Sequence, residues 1–501
     1  MSRPYLLGID QGTSGSRALI IDDEGTVRGY AYRPLARLYP RPDRVEQDPY
    51  AVAEGVSEVI AAAAEMAGIR PDEIAACGIA SQRNTDFAWD RQTRRPVANA
   101  ITWQDLRTLP LLEELKGWEP AAQARHRLGY APGPYMTAMH LAWRMRYDPA
   151  VMAAAESGRL NLGLSAAWLM NALGRPSGHK MDASLVQAMG LYDFRAGDYW
   201  GEWLAWLGVD RAALPAAAPT IDDFGVIRVT GAGGSAADVP VLAMIGDQQG
   251  ALFGHGCRTP GSAECTQGTA TFVKVFMGAE APAQEIIDVF YAWDTGRGQT
   301  YCLEAPTTVI GAAIRWMRDE LQLFAEYDEL DDVAAGVADA GGVVFVPAFT
   351  GLNAPYNDPT ARGTILGMTL GTSRGHIVRA FLESLGYQIR AILDTIARDT
   401  GQRVDELLVG GGVTASDIAC QIQADLTGVP VRRPTFAETT AWAAALLAGM
   451  GVGVWPDESR LPPRPGDHVI FEPCLAAAER EAGFERWSAA VELVRSWPGG
   501  R

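Results

Sequence analysis

Two short stretches constrain this chain more than any others: DQGTSGSR at 10–17 and TQGTATF at 266–272. The first lies between the apolar runs YLLGI and ALIID, the second between CRTPGSAEC and VKVFMG. Each reads as a strand, a tight turn of Gly and hydroxyl residues, and a returning strand. Such a turn aims backbone N–H groups and a Thr hydroxyl at one point, which suits a phosphate. One Gly-Thr turn alone is equally an ordinary hairpin. Two in one chain, each followed by a similar run of elements, predict a duplicated architecture.

The elements around the turns support that reading. Strands are predicted at 5–9, 17–22 and 26–33, then a helix over 48–68, with Asp48 at the N-cap, Pro49 in the first turn and Gly68 as terminator. A buried strand follows at 74–80. This order is half of a layered α/β domain and excludes a simple Rossmann opening, in which the first strand feeds a helix. The stretch 108–225 is richer in helix, with 165–174 the clearest case, and 239–245 is again a strand. From 264 the pattern restarts, with strands at 301–305, 343–349 and 406–412 and helices at 310–321 and 376–398. The Gly-rich 229–240 reads as a surface loop. A chain of 501 residues exceeds one ordinary core, so two domains are expected, 1–256 and 257–501, facing a cleft.

Charge and composition exclude several classes. With 60 acidic against 43 basic residues and a net charge of −17, nonspecific nucleic-acid binding lacks its electrostatic term. The apolar stretch 441–455 is too short to span a membrane. Scattered cysteines without a CxxC pair, and a quickly polar N-terminus, predict a cytoplasmic protein.

Three charged residues stand at chemically suggestive points. Asp247 follows the strand VLAMI in GDQQ, where a carboxylate serves either as a base for a bound hydroxyl or as a helix N-cap. Asp10 opens the first turn, which an Asp commonly caps. Arg17 leaves that turn and offers a fork to phosphoryl oxygens or to a surface carboxylate.

These motifs, with SQRNT at 81–85, ITWQDLR at 101–107, GDQQGALFG at 246–254, FVPAFTGLNAPYNDPTARG at 345–363, GMTLGTSRGHIVRAFLES at 367–384 and VGGGVTAS at 409–416, occur in colinear order. Together they resemble the FGGY carbohydrate kinases, and among them the glycerol kinases. The resemblance implies an α/β fold of two domains, actin/hexokinase-like, with duplicated ribonuclease H-like domains around an ATP-binding cleft. It implies ATP and Mg²⁺, the metal held by Asp10 and Asp247, with Asp247 the catalytic base. Gln11, Gly12, Thr13, Ser14 and Arg17 would surround the phosphates from one side, and Gly268 and Thr269 from the other. Gly311, Arg315, Gly412 and Ser416 fall on the adenine side, where the family's usual residues are Gln at 315 and Asn at 416.

The acceptor pocket implied by the resemblance comprises Arg83, Asn84, Trp103, Tyr135, Asp247, Gln248 and Phe272. Asn84 departs from the family's Glu, and His140 from its Lys. An unreplaced charged acceptor on a substrate hydroxyl is worth about 1.5–3 kcal/mol; with glycerol as acceptor, either Asp86, two residues on, or a water would replace it. The implied reaction is phosphorylation of a terminal hydroxyl of a small polyol, with glycerol the favoured acceptor. The alternative is a four- or five-carbon polyol or ketose: erythritol, xylitol, ribitol, xylulose or ribulose. A sugar-bisphosphate feedback loop would fall near 229–238, which carries no Lys or Arg. The implied assembly is a homodimer or homotetramer, with no nucleic-acid partner and no membrane span.

Overall fold

The computed structural model describes residues 4–231, 234–268, 271–283, 286–307, 310–327 and 329–497. The chain forms two compact α/β units, each built on a seven-stranded mixed sheet. The first break falls after Gly256, and two later segments, Phe290–Tyr301 and Glu438–Pro465, return to the first unit. The units are therefore not two continuous lengths of sequence.

In the first unit, Tyr5–Gln11, Gly15–Ile21 and Val27–Pro34 form an antiparallel meander. Ile74–Ser81 runs parallel to Tyr5–Gln11 on its other side, and Ala236–Gly246 runs parallel to Ile74–Ser81. The second unit repeats this plan: Ala263–Gln267 pairs antiparallel with Thr271–Gly278 and parallel with Leu407–Gly410, beyond which Val431–Pro434 is also parallel. In each unit the Gln-Gly-Thr sequence thus begins at the end of one strand of an antiparallel pair, and the chain continues into the other.

Local sequence explains the elements. The helix Pro49–Ala67 starts where the Asp48 carboxylate accepts the Tyr50 N–H at 2.9 Å and stops at Gly68, whose φ of 67° is left-handed. Its Val52, Val56, Val59, Ile60 and Ala63 form the buried stripe. The expected loop at 229–240 is mostly strand: Ile221–Thr230 and Ala236–Gly246 pair antiparallel through Thr230↔Ala236. Alternating Val, Ile and Leu outweigh the Gly signal, which is confined to the short connection.

One returning helix, Thr439–Gly451, is buried nearly all round, with Trp442, Leu446 and Leu447 fully enclosed. It lies on the strands Tyr5–Gln11 and Ile74–Ser81 at backbone distance. A Cβ on Gly8 would stand 1.9 Å from the Ala441 carbonyl oxygen, and one on Gly78 would stand 2.0 Å from that of Ala444. Only glycine permits this approach.

Candidate active site

Strand register gathers the candidates of the first unit along one sheet edge. Gln11 and Gly246 both lie level with Ser81 across the three parallel strands. Asp10 and Gln11 therefore end one strand where Gln82 and Arg83 leave the second and Asp247 leaves the third. Carboxyl ends of parallel strands are where α/β proteins place ligand chemistry, because diverging loops there sit on fixed backbone.

Asp10 is buried and faces cations and anions at once. Arg17 Nη1 lies 3.3 Å from its Oδ2, while Arg17 Nε lies 3.1 Å from Glu438 Oε2. Burial pushes the Asp10 carboxyl up to about 7; Arg17 pulls it down, and the Asp247 and Glu438 carboxylates push it up again. The carboxylates of Asp10, Glu438 and Asp247 lie beside the guanidiniums of Arg17 and Arg83, and carboxylate oxygens of this kind suit a divalent cation. Among the described residues no group of three His, Cys, Asp or Glu side chains could hold a metal ion. A two-carboxylate site fits Mg²⁺, which keeps waters and takes further oxygens from phosphates.

The first turn is held from behind by amides. Gly12 N–H donates to the Gly15 carbonyl at 3.0 Å. Buried Gln82 accepts from the hydroxyls of Thr13 and Thr85, each at 3.0 Å, and donates to Gln11 Oε1 at 3.2 Å and Gln47 Oε1 at 2.9 Å. Trp103 Nε1 donates to Thr13 Oγ1 at 2.9 Å. The Thr13 hydroxyl proton is thus directed inward, and Trp103 is tied to the first turn. Ser14 is exposed at the tip.

Asp247 is the first residue of the helix Asp247–Gly254 rather than its cap, and its Oδ1 accepts the Gln248 N–H at 2.8 Å. Arg83 lies over the Phe290 ring at 4.8 Å, with Nε 3.9 Å from Asp247 Oδ1. Asn84 has φ 55°, and its Oδ1 accepts the Thr137 N–H at 3.1 Å, at the start of the helix Thr137–Tyr147. Tyr135, just before that helix, is partly exposed.

Asp86 does not stand in for the missing Glu. It is fully buried, with one oxygen 3.1 Å from His140 Nδ1 and the other paired with Arg144. Arg144 also donates to the Asn99 carbonyl at 2.6 Å and pairs with Asp148 at 3.1 Å. Burial raises the Asp86 carboxyl, but Arg144 and His140 more than offset it and hold it below the ordinary value. His140 completes this buried network.

In the second unit, Gly268 follows the strand Ala263–Gln267, and Thr269 lies outside the described residues. Gln267 and Gln423 exchange amide hydrogen bonds of 2.6 and 3.0 Å. Gly411, at φ 100°, lets the glycine turn lie on Gln267: a Cβ there would stand 2.3 Å from the Gln267 carbonyl oxygen. At Gly412 a Cβ would meet open space. Ser416 caps the helix Asp417–Thr427, accepting the Ala419 N–H at 2.9 Å and donating to Asp331. Gly311 and exposed Arg315 share the helix Ile310–Asp319, and Phe272 is half-buried on Thr271–Gly278.

Residues 5–254 match the N-terminal domain, and residues 263–452 the C-terminal domain, of the FGGY family of carbohydrate kinases. The chain belongs to this family. The FGGY kinase is 39% identical over 498 residues to a glycerol kinase of Halorhodospira halophila, covering 99% of this chain and 98% of that protein. It is 38% identical over 500 residues to a glycerol kinase of Symbiobacterium thermophilum, covering 99% of each. The structure of Plasmodium falciparum glycerol kinase with ADP superposes with a TM-score of 0.90 at 25% identity, covering 98% of both chains. A xylulose kinase from Rhodospirillum rubrum shares the fold at TM-score 0.86 and 23% identity, covering 98% of both. The FGGY kinase therefore has the two-domain α/β ATPase-like fold of these enzymes, and it is an ATP-dependent phosphotransferase.

Gln82, Gln47, Tyr30 and Glu438 join these residues only through the fold. Gln82 stands in the quoted SQRNT, and a Gln at the end of a buried strand was the available signal. Glu438 carried none beyond an acidic residue before a helix.

Proposed function

We propose that this FGGY kinase transfers the γ-phosphoryl group of ATP to a terminal hydroxyl of glycerol, giving glycerol 3-phosphate and ADP. The observation that carries this reading is the shared strand edge at which Asp10, Arg83 and Asp247 emerge, with Trp103 bonded to the phosphate turn. The curated relatives matched over nearly the whole chain support glycerol as the acceptor.

Arg83 and Trp103 orient the polyol, and the Asp247 carboxylate accepts the proton of the attacking hydroxyl as its oxygen bonds to phosphorus. Charge accumulating on the transferred group meets the Arg17 guanidinium and the backbone N–H groups of the first turn. Asp10 and Asp247 would hold Mg²⁺, which when bound offsets phosphate charge. Asn84 acts through its side-chain oxygen on the Thr137 N–H, so it anchors the helix start just after Tyr135 rather than supplying a charged acceptor. ADP release with glycerol, dihydroxyacetone, erythritol, xylitol, ribitol, xylulose and ribulose tests the proposal. Glycerol should give the highest kcat/KM; a higher value with any four- or five-carbon compound overturns it.

A further inference from the structure

Glu438 stands at the N-cap position of the helix Thr439–Gly451 yet makes no cap: its side chain forms no hydrogen bond to its own helix. Both oxygens point elsewhere. Oε2 lies 3.1 Å from Arg17 Nε, and Oε1 accepts the Tyr30 hydroxyl at 2.9 Å. Forgoing a cap leaves helix N–H groups without that partner, so the alternative contact has to outweigh it. The arrangement depends on the glycine approach at Gly8 and Gly78, which seats the helix on the two strands that carry Asp10 and Arg83 at their ends.

We infer that Glu438 is a positioning residue for phosphoryl transfer: with Tyr30 it holds the Arg17 guanidinium beside Asp10 before nucleotide arrives. This rests on the kinase reading above. Arg17 is a long, rotamer-rich side chain on a strand leaving the turn, and Tyr32 stacks on it at 4.9 Å. Engagement of Nε by Glu438 and of Nη1 by Asp10 uses two of its three nitrogens and fixes the plane of the fork. A surface ion pair would leave that plane free. Here the Arg17 and Glu438 side chains are only 31% and 26% exposed, and the tyrosine hydroxyl fixes the far oxygen. An Arg fork fixed in advance binds outer phosphates without first being ordered.

The test uses the full-length enzyme with Glu438→Gln, Tyr30→Phe and Arg17→Ala. Affinity for ADP and for a non-hydrolysable ATP analogue is measured calorimetrically without acceptor, beside steady-state kinetics with glycerol. Glu438→Gln should weaken the ATP analogue by about tenfold and raise KM for ATP similarly, with KM for glycerol within about twofold. Tyr30→Phe, which keeps the Oε2 contact, should show a smaller change of the same kind. In the Arg17→Ala background, Glu438→Gln should add less than about twofold, because the two residues act as one unit. Additive losses, or unchanged nucleotide affinity in a folded Glu438→Gln protein, overturn the inference. If that variant fails to fold, unchanged affinity in Tyr30→Phe overturns it. Absence of glycerol phosphorylation in wild type would sink the acceptor assignment alone, since the binding measurements contain no acceptor.

Discussion

The Asn84 side-chain oxygen Oδ1 accepts the backbone N–H of Thr137 at 3.1 Å, from a backbone at φ 55°. Asn is among the few residues that tolerate this left-handed conformation, and its short amide reaches a helix N–H in the same way as an N-cap. A residue that the family resemblance marks as a substrate contact therefore also serves the backbone.

Asn84→Glu should destabilise the protein. The longer side chain is less suited to the left-handed region, at about 1–2 kcal/mol, and loses the short reach to Thr137. Asn84→Asp keeps both features and should melt close to wild type. Thermal unfolding of the two variants checks this, and equal midpoints would show that the Thr137 contact contributes nothing. The ratio of glycerol to xylitol turnover should change less than about threefold in Asn84→Asp.

Asp247→Asn should reduce glycerol-dependent ADP release by at least about 100-fold, because the amide cannot take the hydroxyl proton. Its local contact, an oxygen accepting the Gln248 N–H at 2.8 Å, survives in the amide. Melting temperature should therefore stay near wild type. Retention of a tenth of wild-type turnover would remove Asp247 from the role of base.

Removing one partner of the buried Asp86, His140 and Arg144 network should be severe. Arg144→Ala leaves a buried carboxylate without its guanidinium, and loss of about 3–5 kcal/mol is expected in denaturant unfolding. The contribution of Asp86 follows its depressed folded pKa: it is present above the ordinary unfolded value of 3.8 and is lost as pH falls through the lower folded value. Arg144→Ala should accordingly flatten the acid limb of the stability profile.

Asp182 has the opposite sign. It is buried at the start of the helix Ala183–Ala188, accepting the Leu185 N–H at 3.1 Å and the Thr220 hydroxyl at 2.7 Å. Burial raises its carboxyl from 3.8 to about 6, against the pull of these hydrogen bonds and of Ser184. The folded state thus holds this proton more tightly, so the stability it contributes is full below pH 3.8 and is lost as pH rises through about 6. Asp182→Asn should remove a pH-dependent term on the order of 2–3 kcal/mol, read as the difference between the two proteins' unfolding profiles. Parallel profiles would contradict the assignment.

What the sequence determined by itself is what neighbours along the chain decide. The Gln-Gly-Thr hairpins, the Asp48 and Gly68 ends of the first long helix, and the strand running into Asp247 depend on contacts within a few residues, and they were legible. So was family membership, because colinear motifs survive without knowledge of packing. The role of Asp86 was not legible, since nothing two residues from Asn84 announces that its carboxylate turns inward to Arg144. Glu438 was invisible for the same reason: it meets Arg17 only because Gly8 and Gly78 let a distant helix settle on the first unit's sheet. Parallel register then decides which strand ends share an edge. A charge reads as a solvated surface group until tertiary packing removes the water and supplies a partner.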